Sequence, residues 1–87
     1  MKIVIDEGKP IMIAATYETE LGFDVSELNI DWAKVESIWC KYTTLYIEMG
    51  DGTIHELDSY GDGETDYKWP VQLKLLDDDY KVLWEEN

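Results

Sequence analysis

Arginine is absent from this sequence of 87 residues, and the seven lysines stand singly along it. Proteins that bind nucleic acid neutralise its phosphates with clustered lysine and arginine, and arginine is the side chain that most often reads guanine. Against these lysines stand 20 aspartates and glutamates, which give a net charge of −13. The chain is therefore not expected to bind nucleic acid directly.

Cysteine and histidine occur once each, as Cys40 and His55. A single cysteine excludes an internal disulfide and a cysteine-based zinc site, and Cys40 is expected to pack as a small apolar side chain. The sequence contains no nucleophile-elbow motif and no cysteine–histidine catalytic signature. His55 is expected to lie at the border of a sheet. Neither enzymatic activity nor a cofactor is predicted.

Long apolar runs are also missing. The longest, at 11–15, is too short to cross a membrane, and the N-terminus reaches Asp6 too early for a secretory signal. A cytoplasmic protein without a membrane partner is expected. The apolar fraction of 45%, with four Trp and six Tyr, favours one folded domain over residues 1–87 rather than a disordered acidic tail.

The first half of the chain contains several short β-like runs. Residues 2–5 and 11–17 are rich in β-branched side chains and are predicted to pair as a hairpin across 6–10. The segment 18–31 is interpreted as turn and irregular structure. Its apolar side chains that are expected to point inward are Phe23, Val25, Leu28 and Ile30.

The segment 31–42 fits two structures. Asp31 is a good helix N-cap and the apolar spacing after it fits a helix, but 35–42 also fits a strand. A turn over 31–34 followed by a strand is favoured.

A hairpin over residues 43–58 is the clearest element. Two alternating runs flank the loop Gly50-Asp51-Gly52, and Gly52 is expected in the left-handed conformation. This loop would pair Ile47 with His55 and Leu45 with Leu57. One face of the hairpin would then carry Leu45, Ile47, Met49 and Leu57, and the other Tyr46, Glu48, Ile54 and Glu56.

The last third is predicted to continue as a polar loop over 59–66, a strand over 71–76 and a short helix within 77–87. The helix would be capped by aspartates, with Tyr80, Leu83 and Trp84 at helical spacing. The predicted fold class is therefore α+β: a small, mainly antiparallel β-sheet with a central hairpin at about 43–58 and one or two short helices.

Residues 50–66 hold six acidic side chains and no lysine. An EF-hand alignment that starts at Asp58 places Tyr60 and Trp69 at ligand positions, so a calcium loop is not predicted. The two Gly-Asp-Gly triplets lack the third glycine of a dinucleotide loop and the lysine of a P-loop, and indicate turns instead. No metal site is predicted.

Acidic residues two apart recur along the chain, and in a strand such residues share a face about 6.7 Å from each other. They include Glu18 with Glu20, Glu56 with Asp58, Asp62 with Glu64 and Asp66, and Asp77 with Asp79. Duplex DNA presents a similarly dense array of negative charge to the basic patches of its binding proteins. A rigid row of carboxylates could occupy such a patch.

In size, charge, lack of arginine and carboxylate spacing, the chain resembles the small acidic DNA-mimic inhibitors, many of them phage counter-defence proteins. The resemblance implies an anti-restriction, anti-CRISPR or similar inhibitor whose partner is a basic nucleic-acid-binding protein or nuclease. The residues predicted to bind that partner are Glu48, Asp51, Glu56, Asp58, Asp62, Glu64, Asp66, Asp77 and Asp79.

Two alternatives remain open at this point. An immunity protein or antitoxin that neutralises a basic nuclease would have the same size and charge. A β-rich structural or regulatory module would use charge only for solubility and exposed aromatics for docking or a homodimer. The aromatics considered for that role are Tyr42, Tyr46, Tyr60, Tyr67, Trp69 and Trp84.

Overall fold

The computed structural model describes residues 2–16, 20–58, 65–69 and 72–86, which form two antiparallel sheets of four strands each. The strands are β1 (Met12–Thr16), β2 (Glu20–Asp24), β3 (Val35–Tyr42), β4 (Thr44–Met49), β5 (Ile54–Asp58), β6 (Thr65–Trp69), β7 (Gln72–Leu76) and β8 (Val82–Glu85). The first sheet has the order β2-β1-β7-β8 and the second β5-β4-β3-β6.

The two sheets share one cluster of buried apolar side chains. Its largest fully buried members include Phe23 and Leu75 of the first sheet and Leu45 and Ile47 of the second. Alternate residues of a strand point to one face, so each sheet contributes one apolar face to this cluster. The outer faces of the two packed sheets are therefore the surfaces on which strand residues meet solvent or a partner.

The hairpin predicted over 43–58 is confirmed, including its register. Ile47 pairs with His55 and Leu45 with Leu57. The Met49 N–H donates to the Thr53 carbonyl at 2.8 Å, which closes a three-residue loop. Gly52 has φ +92°, the left-handed conformation that such a loop requires.

Replacing Gly52 with alanine is expected to lower the free energy of unfolding by about 1 kcal/mol, because a Cβ is strained at positive φ. The new methyl group meets no atom within 4 Å, so crowding adds nothing to this loss. Gly50→Ala is the matched control in the same loop, since Gly50 lacks positive φ and its added Cβ would make an ordinary 3.6 Å contact. Equal losses in urea unfolding of the two variants would contradict the prediction.

The turn and strand favoured over 31–42 are also confirmed. Asp31 Oδ1 accepts a hydrogen bond from the Ala33 N–H at 3.1 Å and caps a single 3₁₀ turn, Trp32–Lys34. β3 follows directly, with a bulge between Val35 and Ser37. The Asp31 side chain satisfies one N–H donor of the turn, after which β-branched and aromatic residues favour the strand.

The predicted pairing of 2–5 with 11–17 is wrong. β1 lies between β2 and β7 and hydrogen-bonds to both, so neither of its edges is left for residues 2–5. Those residues form no strand, although Ile3 is buried in the core. Part of the segment 18–31, interpreted as irregular, forms β2. The apolar residues expected to point inward from that segment do face the core: Phe23, Val25, Leu28 and Ile30.

The predicted C-terminal helix is wrong as well: residues 82–85 form β8, paired with β7. Asp77 caps the turn between them, as its Oδ1 accepts from the N–H groups of Asp79 and Lys81, both at 2.9 Å. Tyr80 has φ +62°, which a helix does not allow. Helical spacing was misleading because Trp84 instead pairs with Leu75 across the sheet.

The described residues therefore form a mainly β architecture with a single 3₁₀ turn, and the helical part of the α+β prediction is not found in them. The predicted loop over 59–66 overlaps β6 at Thr65 and Asp66, while 59–64 lie outside the described residues. Within the described ranges, no helix has the length and apolar character needed to span a membrane.

Candidate functional site

The outer face of β3, β4 and β5 carries three rows of residues that are direct neighbours across the strands. The rows are Ser37–Glu48–Ile54, Trp39–Tyr46–Glu56 and Lys41–Thr44–Asp58. We call these nine residues the hairpin face. Their placement follows from the alternation along the hairpin, because Leu45 and Ile47 occupy the core side and fix the direction of their neighbours.

A stacked aromatic pair forms the middle of the hairpin face. The ring centroids of Trp39 and Tyr46 are 5.4 Å apart and their planes differ by 13°. Both side chains are half-buried. Cross-strand aromatic pairs of this kind stabilise a sheet and leave a rigid apolar patch on its surface.

Three carboxylates, all on β4 and β5, lie on the Tyr46 side of that pair. Glu48 Oε1 accepts a hydrogen bond from the Ser37 hydroxyl at 3.0 Å, and Asp58 Oδ1 accepts one from the Thr44 hydroxyl at 3.4 Å. Glu56, directly beside Tyr46, is exposed. Two of the three carboxylates are thus tied to a hydroxyl group on a neighbouring strand.

A second acidic group lies where β2 and β5 approach each other from different sheets. An open groove of about 250 Å³ there is lined by Asp24, Glu27, Leu28 and Leu57. Asp24 also lines a neighbouring groove of about 220 Å³ together with Asp77 and Asp78. We call Asp24, Glu27, Asp77 and Asp78 the acidic seam.

The acidic seam adjoins the hairpin face at β5. Leu57 lines the seam's first groove, and its sequence neighbours Glu56 and Asp58 point to the hairpin face. Lysine lines neither groove in the described part of the chain. Acidic side chains therefore lie on both sides of β5: Glu56 and Asp58 on the hairpin face, and Asp24 and Glu27 in the groove that Leu57 lines.

Two aspartates are tied to the backbone beside them. Asp24 accepts from the Ser26 N–H at 2.8 Å, and Asp51 accepts from the Thr53 N–H at 2.9 Å. Hydrogen bonds from Ser26 lower the pKa of Asp24, with its side chain the larger cause. The pKa of Asp51 is lowered chiefly by the backbone N–H of Thr53. Both carboxylates are thereby favoured in their charged form.

The three carboxylates of Asp77, Asp78 and Asp79 have oxygens within 4.8 Å of one another. Asp77 Oδ1 already accepts the two backbone hydrogen bonds of its turn. Its carboxylate is therefore a structural cap as well as a surface charge. Exposed Asp78 and Asp79 add charge at the same corner of the molecule.

His55 and Cys40 belong to neither of the two acidic surfaces. His55 is half-buried on the edge strand β5 and lines an open groove of about 490 Å³ with Lys34, Glu36 and Asp51, which confirms its place at the border of a sheet. Cys40 is fully buried, and burial raises the pKa of its thiol to about 11. A thiol held protonated in the core is not available as a nucleophile.

The predicted partner-binding residues fall into separate places. Glu48, Glu56 and Asp58 share the hairpin face, Asp51 lies in the loop at its end, and Asp77 and Asp79 lie at the β7–β8 turn. Asp66 belongs to β6, whose side chains are not described, and Asp62 and Glu64 lie outside the described residues.

Sequence reasoning missed several residues of this surface. Asp24, Glu27 and Asp78 join the seam only because two sheets meet, which no local pattern indicates. Trp39 could have been found, since the strand favoured within 31–42 directly precedes the hairpin and, paired with its first strand, places Trp39 beside Tyr46. Comparison of the chain with protein-family models, with curated proteins and with solved structures gives no match.

Proposed function

We propose that this protein binds a basic nucleic-acid-binding protein or nuclease and blocks its nucleic-acid site with a surface of ordered carboxylates. Anti-restriction, anti-CRISPR or similar counter-defence inhibition is the form of this function that the charge and size favour. The observation that carries the proposal is the presence of acidic side chains on both sides of β5, three on the hairpin face and four in the acidic seam.

The charge balance of these surfaces supports a cationic partner. Of the nine residues on the hairpin face, three are acidic and one, Lys41, is basic. Lys9 lies at the border of the seam, with its Nζ 3.1 Å from the Ser26 carbonyl. A net charge of −13 adds long-range attraction, which accelerates association with a positive patch and weakens as salt rises.

A nuclease immunity protein would use the same surfaces, so it differs from this proposal in the target and not in the geometry. A docking module that relies on apolar contact has less support. The large apolar side chains most exposed in the described residues are Val4, Ile54, Tyr80 and Val82, and only Ile54 lies on the hairpin face.

The test begins with capture from bacterial lysate on the immobilised protein, followed by elution with rising salt and with competing duplex DNA. A partner released by both is expected, and it should bind nucleic acid when purified. Recovery of no such partner by a bait with intact circular dichroism and cooperative unfolding would overturn the proposal.

With that partner in hand, the double variant Glu56→Lys/Asp58→Lys is expected to weaken its affinity about tenfold or more, because two attractions become repulsions. Calorimetry or surface plasmon resonance at fixed salt measures the change. The matched control is Asp6→Lys/Glu85→Lys, which alters the net charge equally at exposed positions that belong to neither surface. An equal loss in the control would mean that net charge, and not the hairpin face, determines binding.

A further inference from the structure

We infer that the hairpin face recognises an arginine side chain of its partner, with the guanidinium lying against the Tyr46 ring and pairing with the Glu56 carboxylate. This inference rests on the proposed function and deepens it, since it names the group that is bound. It also predicts that the protein distinguishes an arginine-rich surface from a lysine-rich one, because lysine would not be recognised in the same way.

The orientation of the two aromatic rings determines which face of Tyr46 is left for a ligand. Trp39, Tyr46 and Glu56 are successive neighbours across β3, β4 and β5. The 5.4 Å between the ring centroids is close to the spacing of adjacent strands, about 4.8 Å, and the planes are nearly parallel. Because Trp39 lies against one face of the Tyr46 ring, on the β3 side, the second face is turned away from β3, on the side where β5 carries Glu56.

The space above Glu56, next to the second face of Tyr46, suits a planar cation. A guanidinium there continues the stack on Tyr46 and brings its N–H groups to the exposed Glu56 carboxylate, which it can engage through two parallel hydrogen bonds. Lysine can pair with the carboxylate, but its ammonium is a point charge that does not stack.

The neighbouring carboxylates add to the attraction of a cation placed beside Tyr46. Glu48 and Asp58 lie in the rows on either side of Tyr46 and Glu56, each about 7 Å away as a diagonal neighbour or as the second residue along the same strand. Their hydrogen bonds to Ser37 and Thr44 hold them at the rim of the stack. A cation placed over Tyr46 on the β5 side thus has Glu48, Glu56 and Asp58 as its charged neighbours, while Lys41 lies on the opposite side, on β3.

The occupant must come from another protein. This chain contains no arginine, so a second copy cannot supply the guanidinium. The phosphates of nucleic acid would be repelled by the same carboxylates. Charge complementarity therefore points to an arginine-bearing segment of a basic partner.

The test compares two peptides of equal charge, capped hexa-arginine and capped hexa-lysine, by calorimetry at low salt. The wild-type protein is expected to bind hexa-arginine more tightly, and stacking on Tyr46 should account for about two- to fivefold of that preference. Tyr46→Leu should lose this share, and its affinity for hexa-lysine should fall less, because an ammonium is attracted to the ring but does not stack on it. Tyr46→Phe, which retains the ring, should keep the preference.

Glu56→Gln should weaken the binding of both peptides, and Glu85→Gln, on the other sheet, should change neither. The circular dichroism and thermal unfolding of each variant establish that it is folded. An unchanged arginine preference in Tyr46→Leu, or equal binding of the two peptides by the wild-type protein, would overturn the inference and leave the proposed function standing. If the wild-type protein binds neither peptide, the proposed function fails with it.

Discussion

Replacing Phe23 with alanine is expected to lower the free energy of unfolding by about 3–5 kcal/mol, because the change removes a fully buried ring and leaves a cavity. Phe23 pairs with Ile13 and lies in the cluster shared by both sheets. The loss is a large part of the roughly 5–15 kcal/mol that stabilises a typical domain. Urea unfolding followed by circular dichroism measures it.

Ile54→Ala is the control for this prediction. Ile54 is 48% exposed on the edge strand β5, so its truncation is expected to cost less than about 1 kcal/mol. A similarly small effect of Phe23→Ala would mean that β2 is not part of the core.

Cys40 is expected to react with a thiol reagent at pH 8 about a thousandfold or more slowly in the folded protein than in urea. Attack requires the thiolate and an open path, and a central strand of a packed sheet opens with a free energy of roughly 4 kcal/mol or more. Burial supplies both obstacles, since the side chain is 0% exposed and its pKa is raised to about 11. The release of thionitrobenzoate from Ellman's reagent measures the rate.

The exposed variant Val82→Cys in a Cys40→Ala background is the control, and its thiol should react at once. Fast labelling of Cys40 itself in the folded protein would contradict the burial of β3.

The raised pKa of Cys40 also has a consequence for stability. The folded state holds the thiol proton more tightly than the unfolded chain, where the pKa has its ordinary value of 9.0. The contribution of the Cys40 thiol to the free energy of unfolding is therefore fully present below pH 9 and is lost as pH rises towards about 11. The Cys40→Ala variant should lack this part of the alkaline loss.

The local parts of the structure follow from local signals. The loop Gly50-Asp51-Gly52 and the alternation on both sides of it determine the hairpin, its register and the residues on each face. Asp31 likewise marks the start of the 3₁₀ turn before β3. In each case the interacting residues are close in sequence, so their types are sufficient to predict the contact.

The errors concern strands whose partners are distant in sequence. Residues 2–5 are as β-branched as a strand, but β1 is already paired on both edges with β2 and β7. Residues 77–87 resemble a helix start, but the Asp77 carboxylate caps a hairpin turn and β8 completes the sheet. Propensity is a weak guide where pairing across a sheet decides the structure.

The sequence by itself determined the strong negative charge, the absence of arginine and the two faces of the β4–β5 hairpin, since these depend on composition and on alternation along a short segment. Only the tertiary structure decided that the charges of different segments adjoin. Asp24 and Asp77 are far apart in sequence, and they line one groove because β1 pairs with both β2 and β7. Asp24 also lines the neighbouring groove with Leu57 of β5, where the two sheets that share one core approach each other.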